Sequence, residues 1–71
     1  MVRVASISLN ESAKTAKVSL EADTKDEMTG LSTDDIVGFP KGYTIDFMSD
    51  VFTTNKEMAF MGSDGQWNWG D

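Results

Sequence analysis

The chain lacks the residues on which much protein chemistry depends: its 71 positions include no cysteine, no histidine and only one proline. Without cysteine there is no disulfide, and without either cysteine or histidine there is no soft metal ligand. Histidine as a general base, thiol nucleophiles and Gly-rich phosphate loops are missing as well. Ser49 and Ser63 have no partner base, so the sequence predicts no catalytic residue, no enzyme activity and no cofactor.

Basic residues are scarce. Six lysines and arginines stand against twelve aspartates and glutamates, which gives a formal net charge of −6. A chain without a basic cluster cannot replace the counterions of a nucleic-acid backbone, so direct binding to nucleic acid is disfavoured. Acidic pairs such as Asp34-Asp35 lack the ligand spacing of a calcium loop, which favours a solvated acidic loop and no metal site.

Long apolar runs are absent too. No stretch approaches the roughly eighteen apolar residues that span a bilayer, and the N-terminus lacks the basic-then-apolar plan of a signal peptide. We therefore expect no membrane association and a protein that starts in a cytoplasm. At this length we expect one small domain over residues 1–71, with only about 60% of the chain's surface buried. Because neither disulfide nor metal supplements so small a core, we expect self-association or docking on a partner.

Two turn signals lie in the C-terminal part of the chain. Asp64-Gly65 is typical of a two-residue hairpin loop, because a type I′ turn needs positive φ at both central residues. Asn55-Lys56 is a weaker signal of the same length. Together the two turns predict a three-stranded antiparallel meander that carries both tryptophans of the chain.

The turns also predict a register. Residues directly opposite share a face of a sheet, and two-residue loops place Phe60 opposite Val51 on one side and opposite Trp69 on the other. Gly62 then lies opposite Trp67. Extending the first strand backward by alternate positions adds three more apolar residues to the same face. The predicted core wall comprises Tyr43, Ile45, Phe47, Val51, Met58, Phe60, Trp67 and Trp69.

The opposite face of the meander carries a second set of apolar residues, and two interpretations of this set stay open. It is either the second half of a two-layer core, covered by the N-terminal part of the chain, or a surface that contacts a partner. Methionine suits both roles. The set comprises Met48, Phe52, Ala59 and Met61.

The N-terminal third predicts a β-hairpin. Its second strand alternates cleanly between apolar and polar residues, whereas the first changes phase, which a bulge near Ala5-Ser6 would reconcile. Residues 24–27 and 32–35 have the spacing of capping boxes, which predicts one or two short helical turns, but a solvated loop with acidic side chains fits this segment equally well. The predicted fold is therefore mainly β, or a small α+β variant, with an N-terminal hairpin, short helical turns and a C-terminal three-stranded antiparallel meander.

Several motifs occur together in the C-terminal half: a Gly-x-Pro-x-Gly turn, a Thr-rich turn, an apolar strand and a final Asp-Gly-x-Trp. In this combination the chain resembles small proteins encoded among the virion genes of tailed phages and prophages of Gram-positive bacteria. Residues 13–20, AKTAKVSL, are similar to the N-terminal hairpin of those proteins, and Met48 stands where the pattern predicts glycine. The matching positions are Gly38, Pro40, Gly42, Ser49, Thr53, Thr54, Met58 to Met61, Asp64, Gly65 and Trp67.

The resemblance implies a non-enzymatic virion component, such as a capsid accessory or head-fibre-like protein. Its partner would be a capsid or other virion protein, or a second copy of the chain, and its location the virion after assembly in the host cytoplasm. The resemblance implies no functional residue.

Two other functions are considered from the residues alone. An acidic phage-encoded inhibitor or adaptor would bind a basic host protein through carboxylates on one face, but Glu21, Asp46 and Asp50 are scattered. A glycan-binding module would need an exposed indole at Trp67 or Trp69, and the alternation of these residues favours packing instead.

Overall fold

The computed structural model describes residues 1–70. Within this range six strands form one sheet. Strands make up 44% of the chain, and the only helical elements in the described part are two 3-10 turns, which confirms the predicted mainly β fold. The strands are β1 (Arg3–Asn10), β2 (Thr15–Ala22), β3 (Thr44–Ile45), β4 (Asp50–Thr53), β5 (Met58–Met61) and β6 (Trp67–Gly70). The 3-10 turns span Lys25–Met28 and Thr33–Asp35.

The two halves of the chain meet through parallel pairing. The sheet order is β1-β2-β4-β5-β6, and the short β3 also pairs with β2. The hairpin β1–β2 and the meander β4–β5–β6 are antiparallel, as predicted, whereas β2 pairs with both β3 and β4 in parallel. Residues 23–43 therefore form a crossover, which is the connection that parallel strands require.

The N-terminal hairpin contains the predicted bulge. The β1–β2 register shifts by one residue between Val4 and Ser6, which leaves Ala5 as the extra residue. The shift brings Ile7 and Leu9 onto the face that Val4 occupies. We call this the inner face of the sheet. In β2 it is formed by Ala16, Val18, Leu20 and Ala22, all buried.

The crossover covers part of the inner face. Met28 ends the first 3-10 turn and Ile36 follows the second, and both are buried against the sheet. Because the strands of residues 1–70 form a single sheet, these loop residues supply the other side of the core. The core cluster comprises Val2, Ala16, Val18, Leu20, Ala22, Met28, Ile36, Val51 and Ala59, with Val4, Leu31, Phe39, Tyr43, Ile45, Trp67 and Trp69 packed against it.

The two capping-box sequences behave differently. At the second turn, Ser32 Oγ accepts the N–H of Asp34 at 3.3 Å, as a cap does. At the first turn no side chain caps the helix, and the Glu27 carboxylate instead accepts hydrogen bonds from the Met1 amine at 2.7 Å. The bond to Glu27, reinforced by one to Asp23, raises the pKa of that amine, and the amine in turn lowers the pKa of Asp23. The start of the chain is thereby tied to the crossover.

The β5–β6 loop is one residue longer than predicted. Gly62 donates its N–H to the Gln66 carbonyl at 2.9 Å, and Gly65 donates to the Gly62 carbonyl at 3.1 Å. Only Gly65 of the loop has positive φ, +78°, so the loop has three residues and a left-handed last position rather than a type I′ turn. Met61, not Gly62, consequently lies opposite Trp67.

The β4–β5 loop departs from the prediction in the same way. Thr53 donates its N–H to the Glu57 carbonyl at 2.9 Å, and Lys56 adopts a φ of +65° at the last of three loop residues. Asn55 and Lys56 lie in the turn, as predicted, but Val51 is paired with Ala59 instead of Phe60.

The extra loop residues decide which side chains of β5 and β6 face inward. The shift in the β4–β5 register exchanges the two predicted faces of β5, so Ala59 and Met61 are buried while Met58 and Phe60 are each 46% exposed. The shift in the β5–β6 register cancels this exchange for β6, so Trp67 and Trp69 lie on the same face as Val51 and pack against the core, as predicted. The assignment of Met58 and Phe60 to the core is wrong, because a one-residue shift exchanges the two faces of a strand.

The predicted strand from Tyr43 onward is broken at residues 46–49. Ser49 donates its N–H to the Asp46 carbonyl at 3.2 Å, which closes a four-residue turn with Met48 at a φ of +71° in third position. The turn ends the alternation of side chains. Tyr43 and Ile45 precede it and pack against the core, but Phe47 is 52% exposed, so its assignment to the core is wrong.

The observed register can be tested by placing a charge on neighbouring β5 positions. We expect Met58→Lys to change the free energy of unfolding by less than about 1 kcal/mol, because surface substitutions are usually tolerated. Ala59→Lys buries an unpaired ammonium and should cost several kcal/mol or prevent folding, since such a charge carries a large desolvation penalty. Urea denaturation of both variants checks the prediction, and equal tolerance of the two substitutions would contradict the register.

The left-handed conformation of Met48 is also testable. A four-residue turn with positive φ in third position favours glycine, and a non-glycine residue there costs roughly 1–3 kcal/mol. We expect Met48→Gly to raise the free energy of unfolding by about 1 kcal/mol, because the relief of strain exceeds the entropic cost of glycine. Met58→Gly, in a regular strand, should lower it. A Met48→Gly variant that unfolds at lower urea concentration than the parent would contradict this account.

Candidate functional site

Three large apolar side chains form a cluster on the outer face of the meander, the face that the crossover does not cover. Phe52 of β4 lies directly opposite Met58 of β5, and Phe60 lies two residues further along β5 on the same side. Their exposed fractions are 37%, 46% and 46%. We call Phe52, Met58 and Phe60 the outer patch. Neighbouring exposed apolar side chains of this kind are a candidate contact site for another molecule.

The outer patch is bordered by polar groups that already have partners. Asp50 lies opposite Phe60, and its two carboxylate oxygens share the hydrogen bond that the Ser19 hydroxyl donates, at 2.8 and 2.9 Å. Next to Phe52, Glu21 forms an ion pair with Arg3 at 2.8 Å. An apolar centre with a hydrogen-bonded polar rim is the usual anatomy of a protein–protein contact.

The four residues predicted to form this contact surface divide into two pairs. Met48 and Phe52 are exposed, with Met48 50% exposed at the turn before β4. Ala59 and Met61 are buried in the inner face, so their assignment to a partner contact is wrong. The longer β4–β5 loop is the reason, because its extra residue exchanges the faces of β5 and replaces Ala59 and Met61 by Met58 and Phe60. Asn55-Lys56 fits either loop length, since a three-residue loop also ends in a left-handed residue, here Lys56.

The two tryptophans line a separate groove. A space of about 290 Å³ lies between β6 and the first 3-10 turn, and its walls include both indoles, Gln66 and Asp26. The Lys25 ammonium lies 5.1 Å from the centroid of the Trp69 ring, within the range of a cation–π contact. Each indole is half-buried and contacts the core, so neither ring is a fully exposed stacking platform.

Ser49, one of the two serines weighed as a nucleophile, joins strands instead. It is fully buried, and its Oγ accepts the N–H of Val18 at 3.0 Å and donates to the carbonyl of Ala16 at 3.4 Å. β2 pairs with β3 at residues 44–45 and with β4 from residue 50 onward. Between these two strands the turn at 46–49 interrupts the pairing, and the Ser49 hydroxyl takes the place of a backbone partner for β2. Ser63 lies exposed in the β5–β6 loop.

The described part of the chain offers no other assembled chemical site. Within residues 1–70 no three histidine, cysteine, aspartate or glutamate side chains converge on a point where a metal ion could be held. None of the helical turns there has the length and hydropathy needed to cross a membrane. The exposed apolar surface is therefore the feature of the molecule with the clearest capacity to bind.

Comparison of the chain with protein families, with characterised proteins and with solved structures gives no match. The resemblance to phage virion-region proteins accordingly stays a hypothesis that depends on the motifs alone.

Removal of the Ser49 hydroxyl should weaken the join between the two halves of the sheet. We expect Ser49→Ala to lower the free energy of unfolding by about 1–3 kcal/mol, because the buried N–H of Val18 loses its partner. Ser63→Ala is the matched control and should leave stability unchanged. A Ser49→Ala variant as stable as the parent in urea denaturation would show that the bridge contributes little.

Proposed function

We propose that the chain is a non-enzymatic structural protein that docks on another protein through the outer patch, and that this partner is a capsid or other virion protein of a phage. The observation that carries the docking is the exposed pair of phenylalanines with Met58, set in a polar rim. The sequence resemblance supplies the phage setting. Under this proposal the chain acts as a capsid accessory or head-fibre-like component and resides in the virion after assembly in the host cytoplasm.

The energetics of the patch suit this role. Aromatic and methionine side chains at the centre of a contact give most of its binding energy, and surrounding polar groups exclude water from them. A specific contact buries roughly 800 Å² per partner, which is a modest share of the 4604 Å² that this chain exposes. The outer patch with its rim is a suitable centre for a surface of that size.

The charge of the chain defines what the partner must look like. With a net charge of −6, the protein repels acidic surfaces, and Asp50 and Glu21 lie close to the patch. We therefore expect the partner to present an apolar pocket surrounded by neutral or basic groups.

The test is the protein content of purified phage particles from a strain that carries the gene. We expect mass spectrometry to detect the parent chain in the particles, and the double variant Phe52→Ser/Phe60→Ser to be lost from them while remaining folded in the cell. Each truncated aromatic at the centre of a contact should weaken binding by about tenfold or more.

Phe47→Ser is the matched control, because it also removes an exposed phenylalanine but lies in the turn before β4, outside the outer patch. It should be incorporated as the parent is. Particles that lack the parent chain, or that retain the double variant at the parent level, would refute the proposal.

The same preparation separates the alternative function, an acidic inhibitor or adaptor that binds a host protein. Such a complex would form in the cell rather than in the particle, and moderate salt would weaken it because salt screens exposed charges. A complex held by the outer patch should withstand that salt.

A further inference from the structure

The long edge of the sheet has almost no partner. One side of β1 pairs with β2, and the other side is engaged at its start, where Val4 donates its N–H to the Val37 carbonyl at 3.0 Å and Val37 donates to the Val2 carbonyl at 2.9 Å. Beyond this bridge, from Ser6 to Asn10, the strand pairs with β2 alone. A row of free N–H and C=O groups is a template for another strand.

Beyond the bulge at Ala5, this edge lacks the charged residues and proline that normally prevent such pairing. Proteins protect edge strands with lysine, proline or inward-pointing charges. From Val4 to Asn10 the chain has no charged residue and no proline, although 25% of the whole chain is charged. Ile7 and Leu9 lie on the inner face beyond the crossover and are 40% and 47% exposed. The edge thus combines unpaired backbone with uncovered apolar side chains.

We propose that the chain forms a two-fold symmetric dimer by antiparallel pairing of β1 with β1 of a second copy, with the axis at Ser8. In this register Ile7 of each copy lies opposite Leu9 of the other, Ser8 lies opposite its own equivalent, and Ser6 lies opposite Asn10. All four apolar side chains then share the inner face, where they cover one another, since directly opposite residues lie on the same face. The two sheets become one continuous sheet.

The uncharged and self-complementary sequence of this edge favours a second copy as the occupant. Two chains of net charge −6 repel one another, so a stable approach must avoid bringing carboxylates together. The proposed register does so, because no residue from Ser6 to Asn10 carries a charge. The sequence around Ser8 is also self-complementary, with one aliphatic residue on each side, as an isologous contact requires. The other edge, β6, is half as long and ends in glycine.

The experiment is sedimentation equilibrium of the full chain over a dilution series. We expect the parent to move from its monomer mass of 7.8 kDa toward twice that mass as concentration rises. In Ser8→Glu the new carboxylate lies opposite Lys17 of its own chain, which supports the monomer fold, but two such carboxylates meet at the dimer axis. The dimer dissociation constant should therefore rise roughly tenfold or more.

Three further variants make the result specific. Ser63→Glu has the same net charge as Ser8→Glu but places it in the β5–β6 loop, and should dimerise as the parent does. Leu9→Thr places a residue of high β propensity in the strand while removing apolar contact, and should weaken the dimer. Phe52→Ser/Phe60→Ser should leave it intact, so the outcome is independent of whether the outer patch binds a virion protein. Circular dichroism confirms that each variant is folded.

A parent chain that stays at monomer mass up to millimolar concentration would overturn the proposal. So would a dimer indifferent to both Ser8→Glu and Leu9→Thr. A dimer lost in the Phe52→Ser/Phe60→Ser variant would instead assign self-association to the outer patch.

Discussion

The parallel pairing of β2 with β4 is the constraint on which the rest of the structure depends. It places Leu20 opposite Val51, and both side chains are completely buried. On either side of this pair the chain forms an antiparallel unit that has an inner face but not enough material to cover it. When the two units share one sheet, Met28 and Ile36 of the crossover pack in a single core cluster with residues of both units. Ser49 belongs to the same join, because its hydroxyl keeps β2 bonded where the neighbouring strand is interrupted.

Features set by short-range chemistry could be predicted from the sequence. The alternation of β2, the bulge at Ala5 and the two short helical turns each arise from a few neighbouring residues, and the structure contains all of them. The positions of both meander turns were also predictable, since Asp64-Gly65 and Asn55-Lys56 fall where the chain reverses. The parallel join was not predicted, because pairing between distant strands leaves no local pattern in either of them.

The candidate site was predicted only in part, because a register error of one residue moves every side chain of a strand to the opposite face. A dipeptide such as Asp64-Gly65 fits a two-residue or a three-residue loop, and these differ by one residue in register. One extra residue in the β4–β5 loop was sufficient to exchange Ala59 with Phe60 between core and surface, while the second extra residue restored the tryptophans to their expected face. Phe47 was misplaced for another reason. The motif pattern predicts glycine at position 48, but methionine itself does not indicate a left-handed conformation, so the predicted strand was extended through the turn.

The crossover determines the order in which the molecule assembles. The hydrogen bond between Val18 and Ser49 links positions 31 residues apart, whereas both hairpin units close over loops of only a few residues. Local closures precede distant ones because less chain entropy is lost in making them. We therefore expect the β1–β2 hairpin and the β4–β5–β6 meander to form first, with their apolar faces exposed to water before the central strands meet. In that interval it is most vulnerable to aggregation and to proteases, and conditions that shorten the interval should raise the yield of folded protein.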